Sequence, residues 1–476
     1  MPVKLTANRS QNGVQNLNFK ALCLLAVAKP SASEYLAAMK NIDTLLQARW
    51  IIPVNPARDC LEHYSIAIDD GRIIDILPSA QASRQYSAHT LLDYPRHALL
   101  PGMINTHTHA AMSLFRGLAD DLALMDWLQN HIWPAEAKWV NEAFVQTGTE
   151  LAIAEMLRCG TTCFNDMYYY PDVTARVARR AGMRASVGLI VLDFPTVWAQ
   201  NADDYIDKGT ALRDIYRDDE LIRTAFAPHA PYTVSDAPLH KIRMLADELD
   251  MPVHMHVHET AFEVEQAVKN NGKRPLQRLH ELGLVSPNLL AVHMTQLQDS
   301  EIELLAESGS HVVHCPESNL KLASGFCPVA NLLQAGVNVA LGTDGAASNN
   351  DLDLLGEMRS AALLAKGVAN DATVVPAYQA LEMATINGAR ALGIDSLTGS
   401  LETGKQADLI AVDLNEVETT PVFNPVSHLV YCAGRNQVTD TWVAGKHLMK
   451  QRVLTTLDIA TISATARDIA AHISKN

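Results

Sequence analysis

Histidine and aspartate residues stand at regular places along the chain, each at the end of a short apolar run. His107 and His109 follow the first such run, His256 and His293 end two later runs, and Asp344 follows the last one. Neutral imidazole and carboxylate are ligands that first-row divalent cations bind readily in proteins. Any one of these histidines is more often a packed or surface residue. Their joint placement favours a metal site.

The fifth run carries three alternating histidines, His254, His256 and His258, with Glu259 directly after them. Residues two apart on an extended strand point to the same side, as His107 and His109 also do. Three imidazoles in line cannot all bind one ion, so the alternation by itself leaves the choice among them open. Glu259 is either a solvated residue that opens the following helix or an acid–base group beside the metal.

The elements that carry these residues are predicted from hydrophobic patterning. Amphipathic stretches such as 143–158, 236–250, 261–271 and 300–308 separate the apolar runs. The eight runs are 98–104, 161–165, 185–192, 222–227, 252–258, 289–293, 311–315 and 337–342. Eight β-then-α repeats predict an α/β protein with a (β/α)8 TIM barrel, in which active sites lie at the carboxyl ends of the strands. The alternative, an open doubly wound sheet, would usually carry a glycine-rich phosphate turn after the first strand, which this chain lacks.

Short β-rich segments flank the barrel on both sides. Asp70-Gly71 between two strand-like runs predicts a tight hairpin. We predict that residues 39–96 and 404–455 form a small β-sandwich domain, that 97–403 form the barrel, and that 456–476 form a C-terminal helix. Residues 1–38 are expected to be an N-terminal extension, either disordered or preceding a physiological start at Met39, with a helix over residues 31–40 as the alternative.

Composition excludes several classes of protein. The chain has 476 residues, 48% of them hydrophobic, and a formal charge of −15, which argues against nucleic acid and anionic membranes as partners. Seven cysteines without a CxxC pair are typical of free thiols in a reducing compartment. No apolar run reaches the length of a membrane span, and the short apolar segment 21–28 lacks a clean cleavage site, so we expect a cytoplasmic protein.

Several motifs together resemble the amidohydrolase superfamily, over roughly residues 40–450. They are Pro101-Gly-Met-Ile-Asn-Thr-His-Thr-His109, His256-Val-His-Glu259, His293 and Gly342-Thr-Asp-Gly345. Three longer stretches are similar to the bacterial 5′-methylthioadenosine/S-adenosylhomocysteine deaminases: Trp133-Pro-Ala-Glu-Ala-Lys-Trp139, Ala227-Pro-His-Ala-Pro-Tyr232 and Gly342-Thr-Asp-Gly-Ala-Ala-Ser-Asn-Asn350. The resemblance implies a hydrolase acting on C–N bonds in cyclic amidines.

The resemblance also implies the ligands of the metal. His107, His109, His256 and Asp344 would hold one Zn²⁺ per subunit, with Fe²⁺ as the alternative, and Glu259 three residues later selects His256 from its neighbours. Relatives with two metals carry a carbamylated lysine at the end of the fourth strand. Here that strand ends in Ala-Pro-His229, which favours a single ion.

The expected catalytic residues are Glu259, His293 and Asp344. Zinc lowers the pKa of a water molecule, Asp344 accepts its proton, and Glu259 protonates a purine ring nitrogen, a division of labour that other base deaminases share. His293 orients the attacking oxygen. The resemblance implies that Glu136, His229, Glu259 and Asp344 bind substrate, with Glu136 on the ribose hydroxyls.

Other interpretations stay open at this point. Another aminohydrolase of this branch would act on guanine, 8-oxoguanine, cytosine or an s-triazine, but a ribose-binding Glu136 has no obvious role with a free base. A non-catalytic barrel is a further alternative. Trp127, Trp133 and Met112 either wall an adenine and thioether pocket or belong to the core, and Arg184 lies near a substrate-binding position of the family but begins a strand. A homo-oligomer, dimer or tetramer, is expected from relatives.

Overall fold

The structure is a computed structural model that describes residues 39–475; the predicted extension 1–38 lies outside the described residues. Sixteen strands in the described part form two sheets of eight strands each. In chain order they are β1 Lys40–Ile51, β2 Leu61–Asp69, β3 Arg72–Pro78, β4 Tyr86–Pro101, β5 Met103–Thr108, β6 Thr161–Met167, β7 Arg184–Val191, β8 Ile222–Pro228, β9 Val253–Val257, β10 Leu289–His293, β11 His311–His314, β12 Asn338–Leu341, β13 Leu409–Asp413, β14 Val438–Val443, β15 Lys446–Lys450 and β16 Val453–Leu454.

Strands β5–β12 form the predicted barrel. Each pairs in parallel with the next strand along the chain, and the sheet order runs without interruption from β5 to β12. The junction between β5 and β12 is bridged by hydrogen bonds, from the Thr106 hydroxyl to the Leu341 carbonyl at 2.7 Å and from the Asp344 amide to the His107 carbonyl at 3.0 Å. The (β/α)8 prediction is therefore confirmed.

The first predicted run, 98–104, is divided between the two sheets. Residues up to Pro101 belong to β4, and the barrel strand begins at Met103. Gly102 makes this passage possible, because a Cβ atom on it would lie only 2.1 Å from the Thr162 side chain. Its amide donates to the Asp408 carbonyl at 3.1 Å. The sequence did not predict this change of sheet, because the run is apolar on both sides of it and both halves are buried.

Helices connect the barrel strands and cover the outside of the barrel. Several end at a left-handed glycine, such as Gly160 with φ 88° and Gly182 with φ 78°, as helix termini commonly do. The α-helices are Ser79–Gln85, Leu124–Trp127, Trp133–Trp139, Glu142–Cys159, Pro171–Ala181, Ala202–Tyr216, Asp236–Leu249, Ala261–Asn271, Pro275–Glu281, Asp299–Ser308, Pro316–Lys321, Val329–Gln334, Ala346–Asn349, Leu354–Ala369, Ala377–Ala384, Ile386–Ala391, Pro425–Tyr431 and Ile459–Ser474. Short 3₁₀ turns span Ala110–Phe115, Val417–Thr419 and Arg435–Gln437, and a π-helical turn spans Leu128–Ile132. Among residues 39–475, no helix combines the length and apolar character that a membrane span requires.

The flanking segments build the second sheet together. Its strand order is β16-β15-β14-β13-β4-β1-β2-β3, so β4 and β13 join the N-terminal and C-terminal segments in one hydrogen-bonded series. Asp70 and Gly71 form the predicted hairpin turn, with φ values of 50° and 71°. Side chains from both segments share one apolar core that includes Leu46, Leu409 and Trp442.

A buried ion pair connects this sheet to the barrel. The Arg184 guanidinium, at the start of β7, donates to Asp408 at 2.8 and 3.1 Å and also to the Gln406 side chain. Both charged side chains are almost fully buried. Arg184 therefore lies at the amino end of its strand, away from the carboxyl ends where the candidate site lies.

Candidate metal centre and active site

Four predicted ligands meet at the carboxyl ends of the barrel strands. His107 lies on β5, His109 follows it, His256 lies on β9, and Asp344 follows β12. One nitrogen or oxygen from each residue lies within 4.8 Å of the corresponding atoms of the others. His107, His256 and Asp344 are buried and His109 is partly buried. The structure thus brings together residues that are up to 237 positions apart in the chain.

Two of the three imidazoles are oriented by backbone carbonyls at their Nδ1 atoms. Nδ1 of His109 lies 2.6 Å from the Met167 carbonyl, and Nδ1 of His256 lies 2.8 Å from the His229 carbonyl. A carbonyl only accepts hydrogen bonds, so each Nδ1 carries a proton, and in the neutral, ligating form of each ring the lone pair lies on Nε2. The Nε2 atoms of His107 and His256 lie 3.2 Å apart. This convergence of lone pairs is the arrangement that a bound cation requires.

Asp344 supplies the oxygen of the cluster. Its Oδ1 lies 3.2 Å from Nε2 of His107 and 3.1 Å from Nε2 of His109. The hydroxyls of Ser318 and Ser348 donate to its Oδ2 at 2.7 and 2.8 Å. Burial opposes ionisation of this carboxyl, but the neighbouring imidazoles of His107 and His109 outweigh burial and hold the pKa of Asp344 well below its usual range.

The donor set fits a zinc ion. Three imidazole nitrogens and one carboxylate oxygen are ordinary zinc ligands, and catalytic zinc sites leave a position for water or substrate. Burial lowers the pKa of His107 to about 4, which keeps this imidazole in its neutral, ligating form.

Glu259 and His293 lie beside the cluster. Oε2 of Glu259 is 3.9 Å from Nε2 of His293, whose Nδ1 is 2.8 Å from Oδ1 of Asn319. The backbone of Glu259 is held on both sides, by its amide donating to Glu263 at 2.7 Å and its carbonyl accepting from Thr295 at 2.7 Å. Burial raises the pKa of Glu259 above its usual value. A raised pKa favours the protonated form, which is the form of a carboxyl that can act as an acid.

Glu136 and His229 line the same cavity as the cluster. Glu136 lies on the helix Trp133–Trp139 and is only 8% exposed, and the Tyr169 hydroxyl donates to it at 3.5 Å. Burial raises the pKa of Glu136 to about 7, although the hydroxyls of Tyr168 and Tyr169 and the charge of His109 oppose this rise. Nδ1 of His229 lies 3.0 Å from the Thr233 hydroxyl.

The remaining cavity wall is apolar. Trp127, Trp133 and Met112 line it, and Trp127 and Met112 also belong to the buried barrel core. Among the residues that the structure describes, no lysine or arginine lines this cavity. Arg184 is engaged with Asp408 instead.

Sequence reasoning missed several residues at the site. Tyr168 and Tyr169 follow β6 and line the cavity. Their place at the carboxyl end of a barrel strand was the signal that could have identified them, but only histidine and acidic residues were considered at those positions. Ser318, Ser348 and Asn319 touch Asp344 and His293 from the ends of neighbouring elements. No local pattern marks Ser318 and Asn319, because their partners Asp344 and His293 are 26 positions away in the chain, whereas Ser348 follows its partner Asp344 by four residues.

The fold and the site together are typical of a metal-dependent hydrolase with a (β/α)8 barrel. The chain belongs to the amidohydrolase family, whose family model matches residues 98–448. A protein of Saccharophagus degradans named 5-methylthioadenosine/S-adenosylhomocysteine deaminase is 54% identical over 424 residues, covering 89% of this chain and 95% of that protein. One of the same name from Thermodesulfovibrio yellowstonii is 45% identical, covering 84% of this chain and 92% of its own.

Solved structures agree with this family assignment. The crystal structure of an adenosine deaminase from Xanthomonas campestris with bound zinc has a TM-score of 0.91 and 53% identity, and the match covers 92% of this chain and all of that one. The zinc-complexed atrazine chlorohydrolase of Arthrobacter aurescens has a TM-score of 0.84 at 22% identity, covering 90% of this chain and 100% of its own. At that identity the likeness concerns the fold alone.

Proposed function

We propose that this protein hydrolytically deaminates the adenine ring of 5′-methylthioadenosine, S-adenosylhomocysteine or both, giving the inosine derivative and ammonia. The observation that carries the proposal is the shared cavity, which places Glu136 and His229 beside the His/Asp cluster and Glu259. The names of relatives at 54% and 45% identity support the same substrate class.

His107, His109, His256 and Asp344 would hold one Zn²⁺, with Fe²⁺ as the alternative metal. The fourth barrel strand ends at Pro228, followed by His229, and provides no lysine to bridge a second ion. When bound, the ion supplies the Lewis acidity that makes water a nucleophile at neutral pH.

The protein's own residues then move the protons. Asp344 accepts a proton from the attacking water, and Glu259 delivers a proton to a ring nitrogen, which makes the adjacent C6 electrophilic. Water contributes its oxygen to C6, Asp344 passes the proton that it took from water to the amino group, the C6–N bond breaks and ammonia leaves, and the remaining hydroxyl proton restores Glu259. His293, beside Glu259, orients the attacking oxygen and stabilises the tetrahedral intermediate.

Glu136 and His229 bind the nucleoside in this proposal. A carboxylate accepts hydrogen bonds from two hydroxyls at once, which fits a ribose 2′,3′-diol. The described cavity wall, which holds no lysine or arginine, suits the uncharged methylthio group better than the carboxylate of a homocysteine arm, because a charge removed from water needs a partner. We therefore propose a preference for methylthioadenosine.

Measurement of ammonia release tests the assignment. Methylthioadenosine, S-adenosylhomocysteine and adenosine would be compared with guanine, 8-oxoguanine, cytosine and an s-triazine under the same conditions. Turnover of the adenosine thioethers supports the proposal, and turnover confined to the free bases or the triazine would refute it. A dimeric or tetrameric assembly and a cytoplasmic location stay predictions from the sequence.

A further inference from the structure

The three alternating histidines of the fifth apolar run have three different surroundings. His256 joins the metal cluster. Strand β9 ends at Val257, and His258 has a left-handed backbone with φ 54°, so its ring leaves the alternation and its Nε2 accepts from the Leu276 amide at 3.1 Å. His254 is assigned no role by the proposed reaction, yet it is fully buried inside the barrel.

His254 contacts a candidate metal ligand directly. Its Nε2 lies 2.8 Å from Nδ1 of His107, and neither side chain is exposed. His109 and His256 are oriented by backbone carbonyls. Of the three ligating imidazoles, His107 is therefore the one whose Nδ1 partner is a side chain.

The protons of this histidine pair follow from the ligand role of His107. A metal-bound His107 uses the lone pair of Nε2, so its Nδ1 carries the proton and donates it. Nε2 of His254 must then be the acceptor, and the proton of His254 must lie on Nδ1. That Nδ1 is buried without a hydrogen-bond partner in the described part of the chain. A buried donor without a hydrogen-bond partner is unfavourable, so its presence indicates that another contact of His254 compensates for this cost.

We propose that His254 is a positioning residue for the metal centre, which fixes the tautomer and ring orientation of His107 by accepting its Nδ1 proton. The role rests on the proposed function only through the metal ligands, not through the identity of the substrate. It also assigns a role to His254, a histidine of the alternation that the ligand set leaves unused.

The test compares zinc affinity among variants of the full chain, measured by competition with a chromophoric chelator. His254→Leu removes the acceptor at similar volume, and we expect zinc to bind about 10–100-fold more weakly, as is usual when such a partner of a ligand is lost. His254→Gln places an amide oxygen where Nε2 lies and should restore most of the affinity. His314→Leu is the matched control, because His314 is equally buried in the barrel with an unpartnered Nδ1 and its ring makes no hydrogen bond to a ligand in the described structure.

Thermal melting of the metal-free variants separates positioning from a structural role. His254→Leu removes the unpaired donor, so the metal-free protein should melt at the same temperature as wild type or higher, while its zinc affinity falls. A fall in both quantities that His314→Leu reproduces would overturn the proposal, as would zinc affinity within twofold of wild type. If His254→Leu does not fold, His254→Gln is compared with His254→Asn, whose shorter amide cannot reach His107; equal zinc affinities of these two variants would overturn the proposal.

Failure of the substrate assignment leaves this pattern of zinc affinities unchanged. A wild-type chain that takes up no zinc would instead overturn the metal centre and the role of His254 together.

Discussion

Replacement of Glu136 tests the nucleoside-binding role most directly. If the buried carboxylate accepts both ribose hydroxyls, Glu136→Ala removes two hydrogen bonds to a charged group, each contributing about 1.5–3 kcal/mol. The expected loss in kcat/KM on methylthioadenosine is therefore roughly 10²–10⁴-fold, since each 1.4 kcal/mol corresponds to about a factor of ten. Adenine, which has no ribose, should lose far less.

The pH dependence supplies an independent measure of the same role. Burial raises the pKa of Glu136 to about 7, so lowering the pH below 7 converts the accepting carboxylate to its acid. We expect kcat/KM for methylthioadenosine to fall about tenfold per pH unit on this acid side. Glu259 acts in its protonated form, so acidification does not remove its proton and Glu259 does not cause this acid limb.

The assay measures steady-state ammonia release from pH 5 to 9 for wild type, Glu136→Gln and Glu136→Ala. Glu136→Gln keeps the shape but does not titrate, so the acid limb should flatten. Glu142→Ala, which removes an exposed carboxylate on the next helix, is the matched control and should behave as wild type. Equal losses on methylthioadenosine and adenine, or an unchanged acid limb in Glu136→Gln, would refute the reasoning.

Four further predictions address the metal, the acid, the specificity and the fold. His256→Ala should lose most bound zinc and nearly all turnover; full zinc occupancy with wild-type activity would exclude His256 as a ligand. Glu259→Gln should keep zinc and lose about 10²–10⁴-fold in kcat, whereas near-normal kcat would mean that another group protonates the ring. Methylthioadenosine and its uncharged butylthio analogue should have kcat/KM values within a few-fold of each other, with S-adenosylhomocysteine at least tenfold lower; equal values for S-adenosylhomocysteine would contradict the argument from a cavity wall without lysine or arginine. Arg184→Leu leaves Asp408 buried without its partner and should destabilise the protein by about 3–5 kcal/mol, measured by denaturant unfolding, with KM unchanged; a raised KM in a stable variant would assign Arg184 to the substrate.

Hydrophobic patterning predicted the barrel because each strand is short, buried and followed by a helix with its own apolar face. The gathering of His107, His109, His256 and Asp344 at one place was predictable because barrel strands present their carboxyl ends at one face, whereas their expected role as ligands came from the family resemblance. The division of the run 98–104 was not, since the last residues of β4 and all of β5 are buried; the close packing of Gly102 against Thr162 marks the passage between the two strands. The partner of His107 could not be predicted either, because the contact of its Nδ1 with His254 depends on how two strands that are remote in the chain face each other.

The junction between β5 and β12 has a consequence for how the protein acquires its metal. His107 and Asp344 lie on opposite sides of that junction, so the donor set does not exist until the last strand has docked against the first. A chain arrested before residue 344 would hold only part of the site. If the proposed ligands from both ends of the barrel hold the ion, metal content would report whether a given preparation has completed its fold. Metal bound at this junction would also stabilise the closed barrel, and more so the more tightly it binds.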